Sequence, residues 1–298
     1  VIHVIINPIS GAGADMRAAP RRAEMVESAA RERGVDVSVA FTTRQGHARE
    51  LGEAAVSASA EAVIVWGGDG TFNETATSLI GTSIPLGLVP AGSGNGLAGA
   101  LGLPRDPRVA LALAFDGRPR VIDAGRMAGR CFFNIAGIGF DARVATLFNQ
   151  RGAGSRGGWP YFVIGVREGC TYRAVDYDVW LDDEPAKHKA LLMAFANGRE
   201  YGLGARIAPG ARLDDGLLDA IIVEERGVLA RFWDARHLAK GTPHLAPSVS
   251  TRHVRRAVIE AKGELEFHVD GEPGTAYDRI EVQVIPAALM IRSAVSEQ

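Results

Sequence analysis

Apolar residues in this chain fall into short continuous runs, separated by stretches in which they recur every three or four positions. Up to about residue 120 the two patterns alternate. The runs at 2–6, 37–41, 62–66 and 85–89 have the length and the Val/Ile content of buried strands. Between them, 15–33, 47–57 and 71–80 carry the spacing of helices. Met16, Ala19, Ala23, Val26 and Ala30 fall mostly on one face of the first, and Gly34 stops it. Shorter helical pieces follow at 96–101 and 107–115. Strand alternating with helix predicts a parallel sheet with helices on its faces. Ligands of such sheets sit at the carboxyl ends of the strands, and glycine-rich turns follow Ile6, Trp66 and Val89.

The texture changes near Val121, after the linker-like segment 116–123. From there the pattern is mostly of strands: 121–124, 131–135, 175–181, 190–196, 218–223, 256–261, 265–269, 280–284 and 289–291. Two helices are expected among them, 159–170, with Pro160 suited to a first helical position, and 228–238. Short strands with Gly and Asp turns predict an antiparallel sandwich or barrel. The reading is therefore two domains, 1–122 and 123–298, with the last strand and its tail able to pack on either.

Composition narrows the function. The chain has 298 residues, 47% of them hydrophobic, enough for one large core or two ordinary ones. A net charge of −2 gives no global basic field for nucleic acid. Two cysteines, Cys131 and Cys170, show neither zinc spacing nor a disulfide framework and fit a reducing compartment. Apolar stretches are strand-length, so no transmembrane helix is expected. Residues 1–6 read as a strand and not as a signal peptide. The seven histidines lack metal-ligand spacing. There is no G-x-S-x-G elbow, Walker lysine motif or protein-kinase catalytic loop.

Five turns are candidates for chemistry. Gly67-Gly68-Asp69-Gly70-Thr71 follows a buried strand and opens a helix that Thr71 can cap. Three glycines offer bare backbone N–H groups to phosphate, and the acid offers a carboxylate to a metal. A plain β–α turn rarely needs three glycines around an acid. Asn7-Pro8-Ile9-Ser10-Gly11-Ala12-Gly13 also joins strand to helix, but alone reads as a capped turn. In Pro90-Ala91-Gly92-Ser93-Gly94-Asn95-Gly96, the glycines at 94, 96 and 99 match G-x-G-x-x-G. The turn follows a fourth strand, however, and Asp116, the acid at the right distance, sits in the linker, so a dinucleotide site is set aside. Arg212-Leu213-Asp214-Asp215-Gly216-Leu217 could hold a hard cation, and reads equally as a hairpin turn with solvated acids. Asp270-Gly271-Glu272 is by itself a hairpin signal. The basic cluster Arg252, His253, Arg255 and Arg256 reads as a solvated strand face, with anionic headgroups as the sharper alternative.

Together these motifs resemble the diacylglycerol kinase catalytic family, which includes sphingosine kinases and bacterial lipid kinases. The likeness runs through nearly the whole chain, in order. Asn7-Pro8-Ile9-Ser10-Gly11 is similar to the family's first nucleotide loop, 67–74 to its Gly-Gly-Asp-Gly-Thr-x-Asn-Glu signature, and 90–95 to its Pro-x-Gly-Thr/Ser-x-Asn loop. Gly137-Ile138-Gly139-Phe140-Asp141, Ala196-Asn197-Gly198, Pro209 and Asp215-Gly216-Leu217-Leu218-Asp219 follow the second domain's pattern, and Asp270-Gly271-Glu272 the late acidic turn. There are departures. The first loop lacks the lysine some bacterial members carry. Gly96 stands where many diacylglycerol kinases have Asp, and Gly-Ser-Gly-Asn before a small residue is closer to the sphingosine-kinase style.

The resemblance implies a NAD-kinase-like α/β domain followed by a β-sandwich, with the active site in the cleft between them. It implies transfer of the ATP γ-phosphate to a lipid hydroxyl, of diacylglycerol or a sphingoid-like lipid. Nucleotide contacts carry over to Asn7, Ser10, Gly11, Thr42, Gly67, Gly68, Asp69, Gly70, Thr71, Asn73, Glu74, Gly92 and Ser93. Asp69 matches the acid that organises catalytic Mg²⁺. Arg212 and Leu217, by carbonyls, and Asp215, by carboxylate, match a structural Mg²⁺ site. Glu272, with Asp270 beside it, matches the general base. The expected partner is a lipid at a membrane surface, reached by a cytoplasmic protein that binds the bilayer reversibly, with a homodimer left open. Residues 152–162, with Trp159, Tyr161 and Phe162, are a candidate contact, with a helix packed on the sandwich as the favoured reading. The alternatives are a NAD kinase, which shares Gly-Gly-Asp-Gly-Thr, and a catalytically silent lipid- or nucleotide-binding regulator.

Overall fold

In the computed structural model the described residues are 1–11, 18–92, 94–150, 169, 171–201 and 206–293. The chain divides into two compact units, Val1–Ile122 together with the chain from Ala287, and Asp123–Pro286. Apart from Gly169, the expected helix at 159–170 lies outside the described residues, as do the candidate membrane segment 152–162, Gly13 and Ser93.

The first unit is the expected α/β domain. Its strands are β1 (Ile2–Ile6), β2 (Val37–Phe41), β3 (Ala62–Gly67) and β4 (Leu86–Pro90), and its helices are α1 (Ala18–Arg33), α2 (His47–Ser57), α3 (Asp69–Leu79), α4 (Gly96–Ala100) and α5 (Pro107–Asp116). The strands run parallel in the order β2-β1-β3-β4. Their runs are apolar throughout because both faces are covered. Ile2, Val4, Ile6 and Ile64 pack on one side with Val26 of α1 and Ala110 of α5. Ile5, Val63 and Val65, which alternate with them, are also buried. Register matters most for function. Ile6 pairs with Phe41 and with Trp66, and Trp66 pairs with Val89. The four strands therefore end level, and their following turns emerge side by side.

The second unit is a β-sandwich. It contains β6 (Arg130–Phe132), β7 (Ile135–Gly139), α6 (Phe140–Gln150), β8 (Val175–Leu181), β9 (Glu184–Ala196), β10 (Leu218–Glu224), α7 (Val228–Ala239), β11 (Val249–Val254) and β12 (Arg256–Val269). β5 (Arg118–Met127) and β13 (Glu272–Ser293) each run from one unit into the other. The long strands change partners part-way. β12 pairs with β8 at 257–260 and with β7 at 267–269, and β9 pairs with β8 in its first half and with β7 and β10 in its second. Phe132, Phe195, Met193, Ile259 and Phe267 fill the core between.

Several elements differ from the sequence reading. The run 131–135 is two strands, β6 and β7, parted at Phe133 and Asn134. Helix α6 was not expected, because glycines at 137 and 139 precede it and its apolar spacing is irregular. β11 was not expected either; four of its six residues are exposed, so it shows no alternation. The runs 280–284 and 289–291 belong to one strand, β13. Residues from 287, counted above with the second domain, group with the first. Ala287 takes a left-handed turn, φ 50°. Beyond it Gly81 N–H donates to Ala288 O at 2.9 Å, Ile291 pairs with Leu86, and Arg292 donates to the carbonyls of Ala114 and Phe115. The basic cluster is in part neutralised: Arg252 meets Glu184 at 2.6 Å, and His253 lies 3.4 Å from Asp219.

Gly125 on β5 is bare because the buried Phe132 ring lies over it; a Cβ there would stand 2.0 Å from Phe132 Cζ. Gly125→Ala is expected to lower stability by about 1–3 kcal/mol through overpacking. Urea unfolding reads this directly, and an unshifted midpoint would mean the ring is free to move.

Candidate functional site

The level strand ends gather the first unit's turns. Asn7 N–H donates to Trp66 O, and Ala91 N–H to Gly67 O, so the turns after β1 and β4 are both tied to the end of β3. Asn7 Nδ2 reaches Thr71 Oγ1 at 2.9 Å, and its Oδ1 accepts from Ile9 N at 3.1 Å. The turns then approach until only glycine fits. A Cβ on Gly92 would lie 2.7 Å from Gly68 Cα, and one on Gly11, at φ +100°, would lie 2.8 Å from Ala91 O. Asn95 locks the third turn. It sits at φ 50° as the N-cap of α4, with Oδ1 accepting from Gly92 N at 2.8 Å and Nδ2 donating to Gly92 O at 2.7 Å.

Helix α3 opens inside this cluster, and earlier than expected. Gly68, with extended φ −94° and ψ −174°, is its N-cap, and Asp69 is its first residue. Thr71 is therefore not the cap. It lies in the first turn, buried, with its hydroxyl accepting from Asn7. An α-helix leaves its first N–H groups without intrahelical acceptors, and its dipole favours an anion there. Asn7, Ser10, Gly11, Thr42, Gly67, Gly68, Asp69, Gly70, Thr71 and Gly92 thus lie at or beside one edge of the sheet. Thr42 follows β2, its N–H on Ile6 O, and Asn73 follows one position beyond the first turn of α3. Glu74 is used differently. Its two oxygens accept from Gly46 N at 2.8 Å and Ala48 N at 3.2 Å, which caps α2.

Sequence reasoning missed Arg22. From α1 it donates to Asn7 O at 2.6 Å, Ser10 Oγ at 3.1 Å and Ser10 O at 2.8 Å, with its guanidinium 5.7 Å from the Trp66 ring centre. Burial lowers its pKa, yet from so high a starting value an arginine stays charged. It is a fixed cation behind the first loop. Nothing marks it in the sequence, since it is one arginine among several on α1.

In the second unit the late acidic turn is a two-residue hairpin between β12 and β13. Asp270 at φ 49° and Gly271 at φ 84° are both left-handed, and Val269 pairs with Glu272. This is the type I′ geometry that Asp-Gly favours. Asp270 Oδ2 accepts from Phe133 N at 2.9 Å, and its Oδ1 from Asn134 N at 3.0 Å and Ile135 N at 3.1 Å. Asp270, expected beside the base as a catalytic residue, holds the β6–β7 junction to the hairpin through these three amides. Glu272, the first residue of β13, stands half-buried just past the turn.

The turn at 212–217 is also built on a carboxylate. Asp123 Oδ2 accepts from Gly216 N at 2.7 Å, Asp123 N–H donates to Leu213 O at 2.6 Å, and Asp215 Oδ1 accepts from Leu217 N at 3.1 Å. Burial raises the pKa of nearby Asp219. His253 opposes this, and the Asp215 charge adds to it. Among the described residues no group of three or more His, Cys, Asp and Glu side chains could hold a metal. The donors of Arg212, Asp215 and Leu217 are one exposed carboxylate and two carbonyls. Oxygen donors of this kind are the type a hard divalent cation takes, although Arg212 also lies 3.7 Å from Asp214 in the same turn.

The sequence matches the family description "Diacylglycerol kinase catalytic domain" over residues 1–127, and "YegS C-terminal NAD kinase beta sandwich-like domain" over residues 134–293. The chain belongs to the diacylglycerol kinase family. It is 31% identical over 265 residues to a Klebsiella pneumoniae (strain 342) protein named "Probable lipid kinase YegS-like", covering 88% of each chain. It is 33% identical over 304 residues to the diacylglycerol kinase of Mycobacterium tuberculosis (strain H37Rv), covering 97% of this chain and 94% of that one. A crystal structure of a diacylglycerol kinase from Bacillus anthracis str. Sterne superposes with a TM-score of 0.73 at 19% identity, covering 99% of this chain and 97% of that chain. At that identity it shows the shared two-domain fold alone.

Within the diacylglycerol kinase fold, Asp270 gives a direct stability test. Asp270→Ala strands three amides, and is expected to cost about 2–3 kcal/mol in urea unfolding. Asp270→Asn, which keeps an acceptor oxygen, loses less. An Ala variant as stable as wild type would show that the junction does not depend on this carboxylate.

Proposed function

We propose that this chain transfers the γ-phosphate of ATP to the hydroxyl of a lipid, diacylglycerol or a sphingoid-like lipid. The observation that carries the reading is the interlocking of the turns at Gly11, Gly68 and Gly92 around the start of α3. Side chains are excluded there, so a triphosphate can meet backbone N–H groups directly. Phosphoryl transfer depends mainly on positioning and on neutralising the phosphoryl oxygens, and fixed amides at a helix N-terminus suit both demands.

The residues divide the work as follows. Asn7, Ser10 and Gly11 hold one side of the nucleotide cradle, with Arg22 stiffening the loop from behind. Gly67, Gly68, Gly70, Thr71 and Gly92 form its floor, and Thr42, Asn73 and Ser93 complete the assigned contacts. Asp69 is the carboxylate for catalytic Mg²⁺, which when bound draws charge from the phosphoryl oxygens. Arg212, Asp215 and Leu217 would hold a structural Mg²⁺. Glu272 takes the proton from the acceptor hydroxyl, with Asp270 beside it holding the hairpin. No helix among the described residues is long and apolar enough to cross a membrane. A lipid substrate must be met at a bilayer, and we propose a cytoplasmic protein that does so by reversible surface contact.

Asp69→Ala and Glu272→Gln are each expected to reduce turnover by about 10²–10⁴-fold, with melting close to wild type. The assay follows transfer of label from ATP into a lipid extract and identifies the labelled product. Full activity in either variant would remove that residue's role, and the absence of any labelled lipid with wild type would remove the reading. For the structural cation, added Mg²⁺ is expected to raise the melting temperature of wild type and not of Asp215→Ala. Equal shifts in both would place the ion elsewhere.

A further inference from the structure

Under the 269–272 hairpin lies a buried polar chain that the transfer does not itself use. His268 is 3% exposed and Asp141 6%. His268 Nδ1 accepts from Gly271 N at 3.3 Å, and its Nε2 lies 3.2 Å from Asp141 Oδ2. The Tyr201 hydroxyl donates to the same Asp141 oxygen at 2.6 Å, and Asp141 Oδ1 accepts from Ala142 N at 2.9 Å. A backbone N–H can only donate, so Nδ1 carries no proton. The proton of the neutral ring is then on Nε2 and is donated to Asp141. Room for the pair comes from Gly137, where a Cβ would stand 1.9 Å from Asp141 Oδ2 and 2.9 Å from His268 Nε2.

The chain ends on the peptide groups next to Glu272. Asp270 N–H is held by Ile135 O at 2.9 Å and Gly271 N–H by His268, while Gly271 O accepts from Asn149 Nδ2 at 3.0 Å. A histidine that merely filled the core would need neither an acceptor turned to the hairpin nor a bare glycine opposite. We propose that His268, fixed in one tautomer by Asp141 and Tyr201, is a positioning residue that holds the hairpin and so sets the direction of the Glu272 carboxylate. This rests on Glu272 as the proton acceptor.

Two substitutions separate holding from filling. His268→Asn sets Oδ1 near the position of Nδ1 and keeps an acceptor for Gly271, at the cost of volume and of the link to Asp141. His268→Gln keeps more volume and a donor towards Asp141, and loses the acceptor. Holding predicts that Gln lowers kcat on the order of 10²-fold, as expected when a reacting group is misplaced by about 1 Å, with KM for ATP unchanged. Asn stays near wild type. Amide hydrogen exchange over residues 269–276 rises in the Gln variant and not in the Asn variant. The reverse order, with Asn worse, or equal exchange in both, would overturn the proposal, because filling penalises the smaller side chain. Glu272→Gln is measured alongside. If it is inactive and the order is reversed, the latch fails and the base stands; if it is active, the base itself fails. Should neither His268 variant fold, Tyr201→Phe removes one donor to Asp141 with little change in volume. Faster exchange over 269–276 then supports the chain, and unchanged protection overturns it.

Discussion

The first unit's site depends on a contact between backbones where side chains would ordinarily stand. Gly68 and Gly92 come so close that a methyl group on either would collide with the other's Cα or press against it. That approach is possible only because the strands carrying the two turns end level. Parallel register therefore sets the spacing, glycine permits closure, and Asn95 and Asn7 hold the turns shut with their amide groups. What remains at the surface is peptide N–H with a carboxylate among it, a surface chemistry that follows from steric exclusion more than from any single reactive side chain.

The second unit solves a complementary problem. There three carboxylates serve as joints: Asp270 for three amides, Asp141 for a tyrosine, a histidine and an amide, and Asp123 for the turn at 216. An acid with its lone pairs filled by backbone amides is a rigid structural joint. Spending Asp270 in this way gives the adjacent Glu272 a defined place, and type I′ geometry at 270–271 keeps the hairpin short enough for that definition to survive.

Much of this was legible in the chain. Val- and Ile-rich runs of strand length, alternating with helical spacing, gave the α/β unit because every strand there is buried on both faces. Gly67-Gly68-Asp69-Gly70 could be read because no ordinary turn needs that composition. The second unit was read less well. Its residue pattern does not separate β6 from β7, since the break at Phe133 and Asn134 is imposed by Asp270, far along the chain. Helix α6 hides behind two glycines that serve the sheet, and β11 is an edge strand with no alternation to detect. Asp141 and His268 stand 127 positions apart, and Arg22 resembles its neighbours. Local composition reports on turns and runs; contacts across the fold leave no such mark.

The return of β13 to the first unit has a consequence for biosynthesis. Residues beyond 287 supply the neighbour of β4 at Leu86 and the arginine that meets the carbonyls at the end of α5. As the polypeptide leaves the ribosome, the N-terminal unit stays one strand short, with the edge of β4 unpaired, until the position of Ile291 has emerged. Vectorial folding from the N-terminus cannot finish this unit early. The sandwich must be threaded out first, and the N-terminal unit completes its sheet only after β13 has emerged.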